Sequence, residues 1–211
     1  MNEALQKAVR LRMERTAEAL RKNQMDAYCV DTAADVVPLV KTLLAPGAVV
    51  SCGGSMTLAE CGVMDLLRSG EYEFLDRAKV SGDELEALYR KAFSADCYLS
   101  STNAVTEAGE LFNADGHANR VAALAFGPKS VIIVAGCNKI VSDLAEAERR
   151  LETVAAPANV QRFQSKTPCL ATGRCMHCKS PGRICCTYVV HRFCRTPGRI
   201  KVILVGEALG F

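Results

Sequence analysis

The residues best suited to chemistry are six cysteines near the carboxyl end of the chain. They are Cys169, Cys175, Cys178, Cys185, Cys186 and Cys194. Cys175 and Cys178 form a Cys-x2-Cys hook, which supplies two thiolates from one turn, and a set of four thiolates holds zinc or an iron–sulfur cluster. We expect a metal site on Cys169, Cys175, Cys178 and Cys185. The spacing leaves open zinc, a cluster, or redox-active and disulfide-forming thiols, and it also leaves the fourth ligand open among Cys185, Cys186 and Cys194.

The cysteine-bearing segment is also strongly basic. Residues 166–201 carry eight Lys or Arg and no Asp or Glu, although the whole chain has a net charge of only +3. Such cations would offset the charge of metal-bound thiolates and favour their deprotonation. A basic zinc ribbon could also bind nucleic acid, but the segment offers only Tyr188 and Phe193 for stacking on bases, and the rest of the chain is acidic. We therefore expect no nucleic-acid partner.

A glycine-rich segment at residues 53–58 is a second candidate site. It follows a predicted strand and opens a predicted helix, so its backbone N–H groups and hydroxyls could surround a phosphate or carboxylate. The residues expected to bind such an anion are Gly53, Gly54, Ser55 and Thr57. The segment matches neither the dinucleotide-binding nor the P-loop pattern. The alternative is a tight turn in which Ser55 only caps the helix.

A third candidate is a polar stretch at residues 106–120, flanked by apolar strands. Glu107 could act as a base or covalent carboxylate, and Arg120 could clamp an anion. The other expected ligand-binding residues are Thr106, Gly109, Asn113, Asp115 and Asn119. The alternative is an ordinary hairpin turn at Asp115 with Glu107 as a surface charge.

These sites must be positioned by alternating strands and helices. Apolar runs predict strands at residues 27–30, 48–52, 74–75, 97–100 and 131–134, and helical periodicity predicts helices before and between them. This alternation indicates an α/β fold with a doubly wound, mostly parallel sheet. Residues 103–126, including a strand-like run at 121–126, look like an inserted β-hairpin. We predict one helix over 138–151, a loop over 153–164 and a closing strand over 200–205.

Length and composition fit a globular protein. The chain has 211 residues, 49% of them apolar, which is enough for one substantial core. We expect an α/β domain over residues 1–165, a basic cysteine-rich segment packed on it over 166–199, and the closing strand within 200–211. No apolar run approaches the roughly 18 residues of a membrane helix, and the first residues lack a signal-peptide pattern. We therefore expect a cytoplasmic protein without a membrane partner.

Three stretches resemble the lactate-utilisation (LUD) domain proteins of the LutC/YkgG-like group. They are residues 53–62 (GGSMTLAECG), 103–109 (NAVTEAG) and 126–134 (FGPKSVIIV). The resemblance implies a fold of the NagB/RpiA/CoA-transferase-like type, in which the glycine-rich loop binds a phosphate or carboxylate and a Glu near a Gly, here Glu107, can be catalytic. Residues 180–185 and 198–211 look like a subgroup with a cysteine-bearing tail.

The residues and the resemblance together predict a LUD-type protein that binds a small anionic metabolite. We expect it to be redox-associated, with a cysteine-ligated metal and, as in some members of the family, iron–sulfur partner proteins. The alternative is a transferase or isomerase that uses Glu107, with structural zinc in the tail. Ala-rich helices leave self-association open.

Overall fold

The computed structural model describes residues 2–211 and consists of two sheets surrounded by helices. The strands are β1 (Asp26–Val30), β2 (Val49–Cys52), β3 (Glu73–Leu75), β4 (Cys97–Ser100), β5 (Ala104–Thr106), β6 (Leu111–Asp115), β7 (Ser130–Gly136), β8 (Ile140–Val141), β9 (Thr187–His191) and β10 (Ile200–Val205). The α-helices are α1 (Glu3–Lys22), α2 (Val36–Leu43), α3 (Met56–Glu60), α4 (Val63–Arg68), α5 (Gly82–Lys91), α6 (Asn119–Ala125), α7 (Leu144–Arg150), α8 (Ala156–Phe163) and α9 (Pro168–Thr172).

The larger sheet has six strands in the order β1-β10-β7-β4-β2-β3, and every neighbouring pair is parallel. Its central strands are apolar almost throughout, as expected for strands covered on both faces. In β10, Val202 and Leu204 pack on one side, whereas Ile203 and Val205 pack on the other.

Helices cover both faces of this sheet. Helix α1 contributes Met13 and Leu20 to the core on one face, and α2 and α4 contribute Val36 and Leu67 to the core on the other. The prediction of a doubly wound α/β fold is confirmed, and so is the return of residues 200–205 to the sheet.

The smaller sheet has the order β8-β5-β6-β9. Strands β5 and β6 are the expected inserted hairpin and pair antiparallel. Strand β9 comes from the basic cysteine-bearing segment and extends the hairpin, with Thr187 opposite Asp115. Phe112 of β6 packs against Leu151 and Ala155. The basic segment is thereby joined to the rest of the molecule through backbone hydrogen bonds.

Four local predictions are wrong. Residues 121–126 are not a strand, because the Ala- and Leu-rich sequence forms α6, and the Asp115 carboxylate accepts from the Val121 N–H in its first turn. Residues 138–151 are not one helix, because β-branched Ile140 and Val141 pair with β5 and α7 begins only after the Asp143 cap. Residues 153–164 are not a loop, because a π-turn at Leu151–Ala155 leads directly into α8. Residues 55–67, whose apolar spacing predicts one helix, form two helices separated at Gly62, whose φ is +75°.

A helix that crosses a membrane must be both long and apolar. Among residues 2–211, no helix is long and apolar enough to cross a bilayer.

Candidate functional site

A cavity of about 520 Å³ lies where the parallel strands end. Its floor is formed by the loops that follow the carboxyl ends of β2, β4 and β7, which is where ligands bind in open α/β sheets. These loops contribute Gly54 to Thr57, Ser100 to Asn103, and Lys139. Residues 181–184 and Cys186 of the basic segment form another wall, and Phe211 at the chain end lines it too. The cavity therefore collects residues from widely separated parts of the chain, between Gly54 and Phe211.

The lining of the cavity is strongly cationic. Its lysine and arginine residues are Arg77, Arg120, Lys139, Arg162 and Arg183, and among the described residues the carboxylate of Asp115 is its only acidic side chain. That carboxylate accepts hydrogen bonds from Arg120 Nε at 2.9 Å and from the backbone N–H of Val121. With the acid already engaged, the remaining cations create a positive potential in a partly enclosed space, which attracts anions.

Two guanidinium groups converge on the glycine-rich loop. A Cβ atom at Gly54 would lie 3.2 Å from Arg77 Nη1 and 3.8 Å from Arg162 Nη2. Aromatic rings hold both groups, since Arg77 lies over Tyr89 at 5.7 Å and Arg162 over Phe163 at 4.2 Å. A ring face attracts a cation without neutralising it. Burial and the nearby Arg77 charge lower the pKa of Arg162, which indicates that two unneutralised cations are held close together.

Lys139 lies at the bottom of this arrangement with only 2% of its surface exposed. Its Nζ donates to Thr57 Oγ1 at 2.8 Å and to Ser101 Oγ at 2.9 Å. These partners are neutral hydroxyls, and burial together with the charges of Arg150 and Arg120 lowers the Lys139 pKa to about 7. A buried lysine is normally paired with an acid, so Lys139 is the most unusual residue of the site.

The turn after β7 fixes Lys139 in place. Residues Cys137–Lys139 form a single 3-10 turn. The Asn138 side chain accepts from the backbone N–H of Leu209 and donates to the carbonyl of Gly210. The chain end is thereby held beside the lysine, and Thr57 Oγ1 donates to the Leu209 carbonyl at 3.2 Å.

Comparison with known proteins decides the family. A family model described as the LUD domain matches residues 13–205. The chain belongs to the LUD domain family. Among solved structures it is similar to a DUF162 family protein from Deinococcus radiodurans, with a TM-score of 0.55 and 15% sequence identity over 93% of this chain and 98% of that one. At this identity the likeness shows the fold alone. No curated protein matches the chain.

The LUD domain brings some of the expected ligand-binding residues to the cavity and leaves others outside it. Gly54, Ser55, Thr57, Asp115, Asn119 and Arg120 line the cavity. Gly53, Thr106, Gly109 and Asn113 are not among its lining residues. Gly53 has a steric role, since a Cβ there would lie 2.9 Å from Arg120 Cδ.

Two of the lining residues, Ser55 and Arg120, use their side chains in hydrogen bonds within the protein. Ser55 Oγ accepts from the Leu58 N–H and so caps α3, as the alternative interpretation has it. All five N–H groups of Arg120 are engaged, with Asp115, Asn113, Asn103 and the carbonyls of Ser101 and Ala114. Arg120 therefore holds the loops together and has no free donor with which to clamp a ligand.

Glu107 lies away from the cavity of the LUD domain. Its Oε1 accepts from Arg12 Nε at 2.7 Å, and its Oε2 lies 3.6 Å from Arg15 Nη2, both on α1. Nearby Gly109 allows α1 to approach, because a Cβ there would lie only 2.5 Å from the backbone of Ala19. This geometry is that of a contact between a turn and a helix.

The cysteines of the tail do not form one compact ligand set. Among residues 2–211, the only group of three or more ligand atoms within 4.8 Å of one another belongs to Glu152, Cys175 and His177. His177 Nδ1 lies 3.3 Å from Glu152 Oε1. Cys169 instead contacts Thr167 Oγ1 at 3.2 Å, and Cys194 is buried. Metal binding by Cys169, Cys175, Cys178 and Cys185 stays a prediction.

Arg183 stabilises the loop that carries Cys178 and Cys185. Its guanidinium donates to the carbonyls of Cys178 and Cys185 at 2.9 and 2.8 Å. Cys175 and Cys178 lie close enough that their charges help raise the pKa of Cys185, after burial as the main cause. Cys52, Cys61 and Cys97 of the domain body are buried, which raises their thiol pKa and is typical of cysteines that pack as small apolar residues.

Sequence reasoning missed Lys139, Arg77, Arg162 and Arg183. Lys139 stands three residues after β7, and side chains after buried parallel strands are natural site residues, so that signal was available. The three arginines come from a turn after β3, from α8 and from the basic loop. Their positions in the sequence give no indication that the three arginines line one cavity.

Proposed function

We propose that this LUD domain binds a small anionic metabolite in the cavity at the carboxyl ends of β2, β4 and β7. The observation that carries the proposal is the charge of the lining, in which the described residues supply four arginines and Lys139 but only one acidic side chain, Asp115, which is already bound to Arg120. Holding cations together without acids costs free energy, and a bound anion would recover it.

The arrangement supports one placement of the anionic group. Arg77 and Arg162 approach the loop at Gly54, where two guanidinium forks could bind a carboxylate or phosphate through paired hydrogen bonds. Lys139 and Ser101 line the same cavity and could contact the remaining polar groups of the bound metabolite. A cavity of about 520 Å³ lies within the usual range for small-molecule sites.

The geometry favours this site over chemistry at Glu107. A catalytic carboxylate needs to reach the substrate, whereas Glu107 is paired with Arg12 and Arg15 and is not among the residues that line the cavity. Transferase or isomerase activity through Glu107 therefore has no support from the surroundings of that residue.

Calorimetric titration tests the binding proposal. Pyruvate and inorganic phosphate are the anionic probes, and uncharged methyl pyruvate is the control ligand. Arg162→Met should weaken pyruvate binding by about 1.5 kcal/mol or more, because it removes charged hydrogen bonds, which is at least about tenfold in Kd. The matched control is Arg90→Met, since Arg90 is exposed on α5 and pairs only with Glu86.

Two results would contradict the binding proposal. One is equal weakening of pyruvate binding by Arg162→Met and Arg90→Met. The other is methyl pyruvate binding as tightly as pyruvate, because the carboxylate would then contribute nothing.

A second proposal, for a redox-associated role, is that the tail binds a metal ion or an iron–sulfur cluster. Three potential ligand atoms of Glu152, Cys175 and His177 already lie within 4.8 Å of one another. Cysteine thiolate, imidazole and carboxylate are all zinc ligands, whereas a cluster would draw on thiolates. Residues 181–184, further along the same loop, line the cavity.

Metal analysis of protein purified without oxygen tests the second proposal. We expect stoichiometric zinc, or iron with acid-labile sulfide, that is lost in Cys175→Ser and retained in Cys29→Ser, because Cys29 packs against the core of the domain. Protein without bound metal, or with equal metal in both variants, would contradict the proposal.

A further inference from the structure

The Lys139 amine has an unusual set of hydrogen bonds. Both of its partners are hydroxyls whose own protons are directed elsewhere: Thr57 Oγ1 donates to the Leu209 carbonyl, and Ser101 Oγ donates to the Thr102 carbonyl. Both hydroxyls must therefore accept from Nζ. These two bonds fix two N–H groups of the amine, and its remaining position holds either a third proton or a lone pair.

The charges around Lys139 favour the lone pair. The positive charges of Arg150 and Arg120 oppose a third proton, while the negative charge of Glu60 favours it. Burial adds to the effect of the arginines, and the pKa falls to about 7. At pH 8 most of the amine is therefore neutral, as lysine nucleophiles require.

We propose that Lys139 forms a Schiff base with the carbonyl carbon of a 2-oxo acid bound in the cavity. The inference rests on the proposed function, because the carboxylate of the acid would occupy the anion site of Arg77 and Arg162. A 2-oxo acid joins the two required groups, since its carbonyl is directly attached to a carboxylate. Lys139, Arg77 and Arg162 all line the same cavity.

The reaction balances without an oxidant or reductant. The Nζ lone pair attacks the carbonyl carbon, the electrons of the C=O π bond move to oxygen, and a proton shift from nitrogen to oxygen gives a carbinolamine. Loss of the hydroxyl as water then forms the C=N bond, so that ketone and amine become imine and water. The hydroxyls of Thr57 and Ser101 lie at 2.8 and 2.9 Å from Nζ and orient it for the attack.

Reductive trapping tests the inference. Protein is incubated with pyruvate at pH 8 and treated with borohydride, which delivers hydride to the imine carbon and leaves a stable secondary amine. We expect one adduct per chain, with the mass of pyruvic acid less one oxygen atom, located by peptide mapping on Lys139. Exposed lysines such as Lys7, whose side chain is 73% exposed, serve as internal controls.

Three variants and a pH series sharpen the test. Lys139→Met should abolish the adduct. Arg162→Met should reduce trapping at low pyruvate and recover it at high pyruvate, because the nucleophile remains while the affinity falls. Lys41→Met, at an exposed position paired with Glu71, should trap normally. In the unmodified protein, trapping should rise with pH and reach half of its maximum near pH 7, which does not depend on how any variant folds.

The outcomes separate the two proposals. If calorimetry shows pyruvate binding that Arg162→Met weakens, but trapping leaves Lys139 unmodified, the Schiff base is overturned and the binding function stands. If neither pyruvate nor phosphate binds and no adduct is trapped, both proposals fail. Adducts spread evenly over exposed lysines, or retained in Lys139→Met, would also overturn the Schiff base.

Discussion

At the scale of single residues, Lys139 determines the chemical character of the site. Its ammonium group has neutral hydroxyls as partners and arginines as neighbours. Such a group destabilises the folded protein wherever it is charged. Function accounts for a residue of this kind better than stability does, because an apolar side chain would fill the same space without this cost.

Lys139 should therefore make stability depend on pH. Between pH 7 and 10.5 the folded state binds fewer protons at this site than the unfolded state, so stability rises with pH across that window. From pH 9 to pH 7.5 the unmodified protein should lose about 2 kcal/mol relative to Lys139→Met, at about 1.4 kcal/mol per pH unit. Urea denaturation of both proteins at the two pH values measures the difference. An identical pH dependence in both would show that Lys139 titrates normally.

At the scale of elements, the sequence predicts strands better than it predicts their partners. The runs at 131–134 and 200–205 are apolar enough to identify buried strands. The sequence does not predict α6 as a helix or β8 as a strand, because tertiary contacts determine both elements. The Asp115 carboxylate accepts from the Val121 N–H in α6, and Ile140 of β8 pairs with Val105. Of the glycine-rich segment, Gly54, Ser55 and Thr57 line the cavity, whereas a Cβ at Gly53 would lie 2.9 Å from Arg120 Cδ. Anion binding by this segment stays a prediction.

Gly109 provides a test at this scale, since it was expected to bind ligand. Its φ is +79°, and an added Cβ would lie 2.5 Å from the Ala19 backbone. Gly109→Ala should cost about 3 kcal/mol or more, the sum of a left-handed alanine and overpacking. Gly47→Ala, with φ +70° and no atom near the new Cβ, should cost only about 1 to 2 kcal/mol. Equal stabilities, measured by thermal unfolding, would contradict a packing role for Gly109.

At the scale of the whole molecule, the end of the chain completes both the core and the site. Strand β10 lies between β1 and β7, and Phe211 lines the cavity beside Arg162. Residues 200–211 therefore contribute both a strand of the larger sheet and one residue of the cavity lining. The cationic cluster could not be predicted locally, because Arg77, Arg162 and Arg183 are separated along the chain and meet only in the folded protein.

Deletion of residues 200–211 should abolish cooperative unfolding, because it removes a central strand with Val202, Ile203 and Leu204 fully buried. Deletion of residues 2–5, all exposed at the start of α1, serves as the control and should leave the unfolding transition in place. Differential scanning calorimetry of both truncated proteins measures whether each has a cooperative unfolding transition. A cooperative transition in the shorter chain would mean that the sheet closes without β10.

The central claim is that the cationic cavity is an anion site, and the most direct measurement is the location of an anion in it. Crystals soaked with selenate, which is phosphate-like and scatters anomalously, would show where it binds. We predict a strong anomalous peak at Gly54, within hydrogen-bond distance of Arg77 and Arg162, and its loss in Arg162→Met. Peaks confined to exposed lysines and arginines, with the cavity empty, would contradict the account.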